Sequence, residues 1–115
     1  EAKYWGFVSE TLKFELLSRA HVLLNPSIHE GWGLVNIEAN ACGTPVVGYN
    51  VSGVRDSVRS GKTGILVEER NIDQLSQAIT EIKEGLIKSD ECKKWASKFT
   101  WEKSTLNSLK FIDNL

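Results

Sequence analysis

The sequence predicts an α/β domain, a parallel sheet flanked by helices. Three observations carry that expectation. β-forming runs alternate with helix-like spacings four times along the 115 residues. The strand candidate His21–Asn25 is a continuous apolar run of the kind a buried parallel sheet uses. The links between them are short and rich in glycine, which suits strand–helix–strand units better than a meander of hairpins.

Tyr4-Trp5-Gly6-Phe7-Val8 reads as a first strand, and Ser9 as the cap of a helix carrying Leu12, Leu16 and Leu17, with Phe14 and Ala20 nearby. His21-Val22-Leu23-Leu24-Asn25, closed by Pro26, is the second strand. A Gly-x-Gly turn leads into a helix from about Gly33 to Cys42; Gly43 is placed to end it and Pro45 forbids its continuation. Pro45 to Tyr49 is the third strand, Asn50 to Gly53 a turn, and Val54 to Arg59 a short helix. Ser60 to Gly64 is a second turn, and Ile65-Leu66-Val67 the fourth strand. Asn71 with Gln74 resembles a capping box. It opens a helix with Leu75, Ala78, Ile79 and Ile82 on one face. Asp90 to Phe99 follows as a helix, and Thr100 caps a last one with Trp101, Leu109, Ile112 and Leu115.

One domain is the natural expectation for this length. Apolar residues at 41% and charged residues at 25% fit a globular chain with a core. A net charge of −1 gives no general pull toward nucleic acid or anionic membrane. No run approaches the ~18 apolar residues of a membrane span, and no signal peptide is seen. Cys42 and Cys92 lack metal-type spacing and suit a reducing, intracellular compartment. A chain without Met that opens on Glu-Ala-Lys reads as a piece of a longer one.

Chemistry concentrates between Ser27 and Ala39. In open parallel sheets ligands bind beyond the C-terminal ends of the strands; Pro26 to Gly33 lies at such an end, as do Asn50 to Gly53. Gly31 and Gly33 allow close backbone approach before a helix N-terminus, where outward N–H groups and the helix dipole favour a phosphate. Glu30 and Glu38 stand eight positions apart. Glu30 either complements the helix dipole, worth ~0.3–1 kcal/mol, or accepts hydroxyls of a sugar. Glu38 is either a solvated helix residue or a carboxylate gripping vicinal hydroxyls, as acidic residues grip a ribose. Trp32 reads as packing, as do Trp5, Trp95 and Trp101; Lys93 and Lys94 read as a solvated face. Gly61-Lys62-Thr63 is not a P-loop, since Asp56 occupies the position of the required earlier glycine and the segment opens a strand. His21 reads as structural and His29 stays undecided beside the site. No metal cluster or nucleophile–base pair stands out.

Pro26-Ser27, Glu30-Gly31-Trp32-Gly33-Leu34, Glu38-Ala39 and Cys42-Gly43-Thr44-Pro45-Val46-Val47 together follow the pattern P-S-x-x-E-G-F-G-L-x-x-x-E-A-x-A-x-G-x-P-V-V, with Trp32 in place of the usual Phe. The chain therefore resembles the retaining GT-B glycosyltransferases of family 4, the group 1 glycosyl transferases. The likeness continues through Gly53, Gly61-x-Thr63-Gly64-Ile65-Leu66-Val67 and Phe99-Thr100-Trp101, with Asp56 where Glu is more usual.

The resemblance implies a Rossmann-like sheet, with residues 1–115 forming the later part of the C-terminal, donor-binding domain. It implies transfer of a hexosyl group from a nucleotide-sugar to an unknown acceptor with retention at the anomeric carbon, with no cofactor and no metal. Glu30 matches the glutamate facing the donor sugar and is the candidate catalytic residue. Gly31, Trp32, Gly33, Leu34 and Val35 match the turn whose amides meet the sugar and diphosphate, and Glu38 matches the ribose carboxylate. The N-terminal domain is an implied partner; with it and two earlier strands go the acceptor site and the Arg and Lys used on the diphosphate. The isolated chain is therefore expected to be inactive. The strand 4–8, deprived of its usual neighbours, is expected to move beside His21–Asn25 or pair with another chain. A cytoplasmic location follows, with peripheral membrane attachment left open for the full-length protein. The alternatives are a nucleotide-sugar epimerase on the same fold, with only His29 as its acid or base, and a non-catalytic nucleotide-binding scaffold.

Overall fold

A computed structural model of the chain describes residues 6, 8–28 and 33–99. Within them the elements run α1 (Glu10–Arg19), β1 (Leu23–Asn25), α2 (Leu34–Ala41), β2 (Val46–Tyr49), α3 (Val54–Ser57), β3 (Gly64–Val67), α4 (Ile72–Lys83) and α5 (Ser89–Ser97). The strands form one parallel sheet in the order β1-β2-β3, with Leu23 opposite Val46 and Val46 opposite Gly64. The expected α/β class is what forms.

The central strand explains the layering. Every residue of β2 is buried, and the period of two sends Val46 to one face and Val47 and Tyr49 to the other. Val46 packs with Leu17, Ala39, Val54 and Val58, drawn from α1, α2 and the α3 region. Val47 and Tyr49 join Val67, Leu75, Ala78 and Ile82 beneath α4, together with Ile87 and Cys92. A strand clad on both sides has no polar face to show, which is why its sequence reads as an unbroken apolar run.

The caps follow the sequence closely. Ser9 Oγ accepts from the Leu12 amide at 3.1 Å. At the end of α2, Gly43 takes φ +84°, its N–H reaches the Asn40 carbonyl, and the Thr44 N–H reaches the Ala39 carbonyl. That pair of bonds satisfies two carbonyls the helix end would orphan, and it requires the left-handed conformation that glycine adopts at least cost. Asn71 Oδ1 accepts from the Gln74 amide, but the expected return bond is redirected: Gln74 Oε1 accepts from the Glu68 N–H at 2.7 Å. The half-formed box thus ties α4 to the end of β3.

Other expectations need correction. α1 buries Leu17 alone, with Leu12 and Leu16 half-buried and Phe14 and Ala20 exposed, because only one narrow face of this helix of just under three turns packs inward, against α2 and Val46. Of the expected strand 4–8, residues 4, 5 and 7 lie outside the described residues; Gly6, with φ +65°, and Val8 belong to no strand. β1 consequently has one strand neighbour among the described residues, and Leu24 is left 42% exposed. The helix expected after Thr100 also lies outside the described residues. Gly61–Thr63 is a turn leading into β3, as read from the sequence.

Candidate functional site

The site grows from the C-terminal end of β1. Asn25 closes that strand, Pro26 and Ser27 lead away, and α2 begins at Leu34. Glu30, Gly31 and Trp32, with His29, lie outside the described residues. Gly33, Leu34, Val35 and Glu38 are described. Gly33 caps α2 in the left-handed region (φ +79°, ψ +43°), a conformation in which any Cβ is strained. A Cβ there would also strike Ser57 Oγ, and it would lie 2.9 Å from Asn36 Nδ2 and 3.1 Å from the Gly53 carbonyl. The turns opening α2 and α3 therefore touch, and only glycine fits between them.

Leu34 is exposed and Val35 half-buried at the start of α2. The Asn36 and Ile37 amides already bond to the Gly33 carbonyl. Those of Leu34 and Val35 meet no acceptor among the described residues. Outward N–H groups with the positive end of the helix dipole behind them form an anion-attracting surface.

Glu38, one turn further on, is not the freely solvated residue of the plain reading. Its side chain is 18% exposed, and Oε2 accepts from Lys13 Nζ at 2.9 Å. Lys13 also reaches Glu10 at 3.1 Å. The hydrogen bond from Glu38 holds the Lys13 ammonium above its usual range; partial burial pulls the other way, and Glu10 adds to the rise. Oε1 of Glu38 has no partner among the described residues.

Behind these groups runs a buried polar chain that the sequence reading missed. The Ser27 N–H donates to Asn25 Oδ1 at 3.2 Å, and Asn25 Nδ2 donates to Asn36 Oδ1 at 2.9 Å. Asn36 Nδ2 donates to Ser57 Oγ at 2.9 Å, and Ser57 Oγ donates to the Gly53 carbonyl at 3.0 Å. Asn36 and Ser57 are fully buried and Asn25 nearly so. The chain locks the end of β1, the first turn of α2 and α3 into one body. The available signal was polarity out of place: Asn25 ends an apolar strand and Asn36 interrupts Leu34-Val35-x-Ile37.

Among the described residues no group of three or more His, Cys, Asp or Glu could hold a metal ion. No described helix is long and apolar enough to cross a membrane.

A three-stranded parallel sheet flanked by helices, with a glycine-opened helix N-terminus at a strand end, is a Rossmann-like α/β arrangement. Residues 1–99 match the family model described as glycosyl transferases group 1, and the chain belongs to that family. Among curated proteins it is similar to the D-inositol 3-phosphate glycosyltransferase of Geodermatophilus obscurus, 42% identical over 92 residues, or 78% of this chain and 20% of the relative. The protein of that name from Mycobacterium marinum is 40% identical over 86 residues, covering 70% of this chain and 18% of the relative. That from Mycobacterium tuberculosis is 38% identical over 96 residues, covering 78% and 20%. The chain thus spans about a fifth of the length of these relatives.

Proposed function

We propose that this chain is the donor-binding part of a retaining GT-B glycosyltransferase, and that the intact protein moves a hexosyl group from a nucleotide-sugar to an acceptor. The observation that carries the reading is the start of α2. Gly33, held left-handed, opens α2 just past the end of β1, and the amides of Leu34 and Val35 meet no acceptor among the described residues. As the bond from the anomeric carbon to the diphosphate oxygen breaks, negative charge gathers on that oxygen. A fixed helix N-terminus stabilises that charge more than the ground state, which is what lowers a barrier.

In this reading Glu38 takes the ribose. Lys13 occupies Oε2 and aims the carboxylate, so that Oε1 accepts a ribose hydroxyl. Glu30 faces the sugar, and Gly31 and Trp32 complete the turn around it. The chain alone lacks an acceptor site and is inactive by itself; transfer requires the rest of the protein, and neither metal nor cofactor enters. The family membership supports this reading over the epimerase and the scaffold.

The test is an NMR titration of the chain with UDP, GDP and ADP and their sugar conjugates, following amides from residue 30 to 38. Shifts confined to that stretch for one nucleotide, lost in Glu38→Ala, are expected. Absence of shifts in both this chain and the full-length protein overturns the proposal.

A further inference from the structure

A concavity lies on the flank where the connection from α3 to β3 meets α5. Its volume is about 150 Å³. Arg59 and Lys62 come from the turn that feeds the N-terminal end of β3, and Lys94 and Lys98 from α5 and its cap. This is the opposite end of the sheet from Gly33 and α2's first turn.

Its charge is the notable feature. The whole chain carries −1, yet four cations line this hollow against one carboxylate, Glu91. None of the four lies within salt-bridge distance of a carboxylate among the described residues. Four like charges facing a single carboxylate repel one another on balance, a cost that an anion between them reverses.

The wall is also fixed in place. Trp95 is half-buried; its Nε1–H donates to the Ser57 carbonyl at 3.0 Å, and Phe99 meets it edge to face at 5.0 Å. The Arg59 guanidinium sits 5.4 Å from the Trp95 ring centroid and Lys98 Nζ 5.8 Å, so the indole holds two cations at the rim by cation–π attraction. Arginine beside lysines on a rigid aromatic wall is the chemistry that recognises a compact oxyanion: a planar fork plus mobile point charges.

We propose that this pocket is an anion site for a phosphate monoester, distinct from the donor site, with Arg59, Lys62, Lys94 and Lys98 as its ligands. The phosphate could be carried by a small soluble molecule or by a lipid headgroup, and the experiment separates the two.

The chain is titrated with inorganic phosphate against chloride at constant ionic strength, following the Trp95 indole N–H, assigned with Trp95→Phe, and the amides of residues 59–63 and 94–98. A saturable shift is expected there. Because Lys62 and Lys94 are exposed, Lys62→Gln/Lys94→Gln should fold normally, which its spectrum checks, and should weaken phosphate binding about tenfold or more, as expected for two lost charge-assisted bonds. A shift no larger than chloride gives, or one unchanged in the double variant, overturns the proposal. Co-sedimentation with phosphatidylcholine vesicles containing phosphatidic acid is the second arm. Vesicle binding lost in the double variant, alongside the phosphate response, assigns the lipid source; a phosphate response without vesicle binding assigns the soluble one. Vesicle binding with no phosphate response overturns the pocket and leaves diffuse surface charge.

Discussion

Truncating Asn36 to alanine tests how the site is held together. Asn36 is wholly buried, accepts from Asn25 Nδ2 and donates to Ser57 Oγ, both at 2.9 Å. Alanine removes both bonds at once. Ser57 Oγ keeps its own acceptors, the carbonyls of Gly53 and Val54, and loses only the donor it received. Asn25 Nδ2 is left in a dry interior with no acceptor. A stranded buried donor costs about 1–3 kcal/mol, and an ordinary lost bond about 1; with a small cavity added the total is about 3 kcal/mol. For a domain of this size that lowers the melting temperature by roughly 10–20 °C. Urea unfolding, read at an unchanged m-value, is the assay. The double variant Asn25→Ala/Asn36→Ala sharpens it: once both amides are gone no donor is stranded, so the pair should cost about 1–2 kcal/mol less than the sum of the singles. A loss below about 0.5 kcal/mol in Asn36→Ala, or strict additivity of the two, would refute the reasoning, because solvent would then be reaching the amides.

Four further outcomes follow from the geometry. Gly33→Ala meets a left-handed backbone as well as Ser57 and Asn36, and should lose at least about 1–2 kcal/mol by the same urea assay; a neutral result would mean the α2 cap sits elsewhere. Lys13→Met and Glu38→Gln should couple by about 0.5–1 kcal/mol in a double-mutant cycle, as a partly exposed pair does. Since Lys13 titrates higher folded than unfolded, its contribution is complete below the unfolded lysine pKa and drains away as pH rises through the folded value. The alkaline decline in stability above about pH 10 should therefore be shallower in Lys13→Met. Burial first, and the neighbouring Glu91 charge second, push the Cys92 thiol up to about 11, while Cys42 is only half-buried. Iodoacetamide at pH 8 followed by peptide mass analysis should find Cys42 modified well ahead of Cys92; the reverse order would contradict the packing of α5.

Much of this fold was legible because its signals are local. β2 announces itself through Val46-Val47, since a strand clad on both faces needs no polar residue. Ser9, Gly43 and Asn71 mark helix ends by chemistry that acts within four residues. Gly33 is equally local: a glycine right before an apolar helix permits the left-handed backbone it adopts. What escaped notice depends on distance along the chain. Asn36 meets Asn25 eleven residues away and Ser57 twenty-one away, and no spacing rule anticipates such partners. Lys13 has a local counter-ion in Glu10, but its other one, Glu38, lies twenty-five residues on. Lys94 was read as part of a solvated face, which its exposure supports; its convergence with Arg59 and Lys62 needed the chain to fold. Gln74 shows the reverse case, a correct local signature whose second bond was diverted to Glu68 by the geometry of the preceding turn.

The hydrogen-bonded path from Ser27 through Asn25 and Asn36 to Ser57 ends on α5, where Trp95 grips the Ser57 carbonyl. In evolutionary terms, three turns and a distant helix form a single unit of inheritance. Each amide has both its donor and its acceptor committed, so a change at one position is tolerated chiefly when its neighbour changes with it. Lineages of this protein are expected to exchange Asn25, Asn36 and Ser57 in concert or to keep them unchanged. Exposed positions of α1 such as Glu15 and Ser18 carry no such obligation.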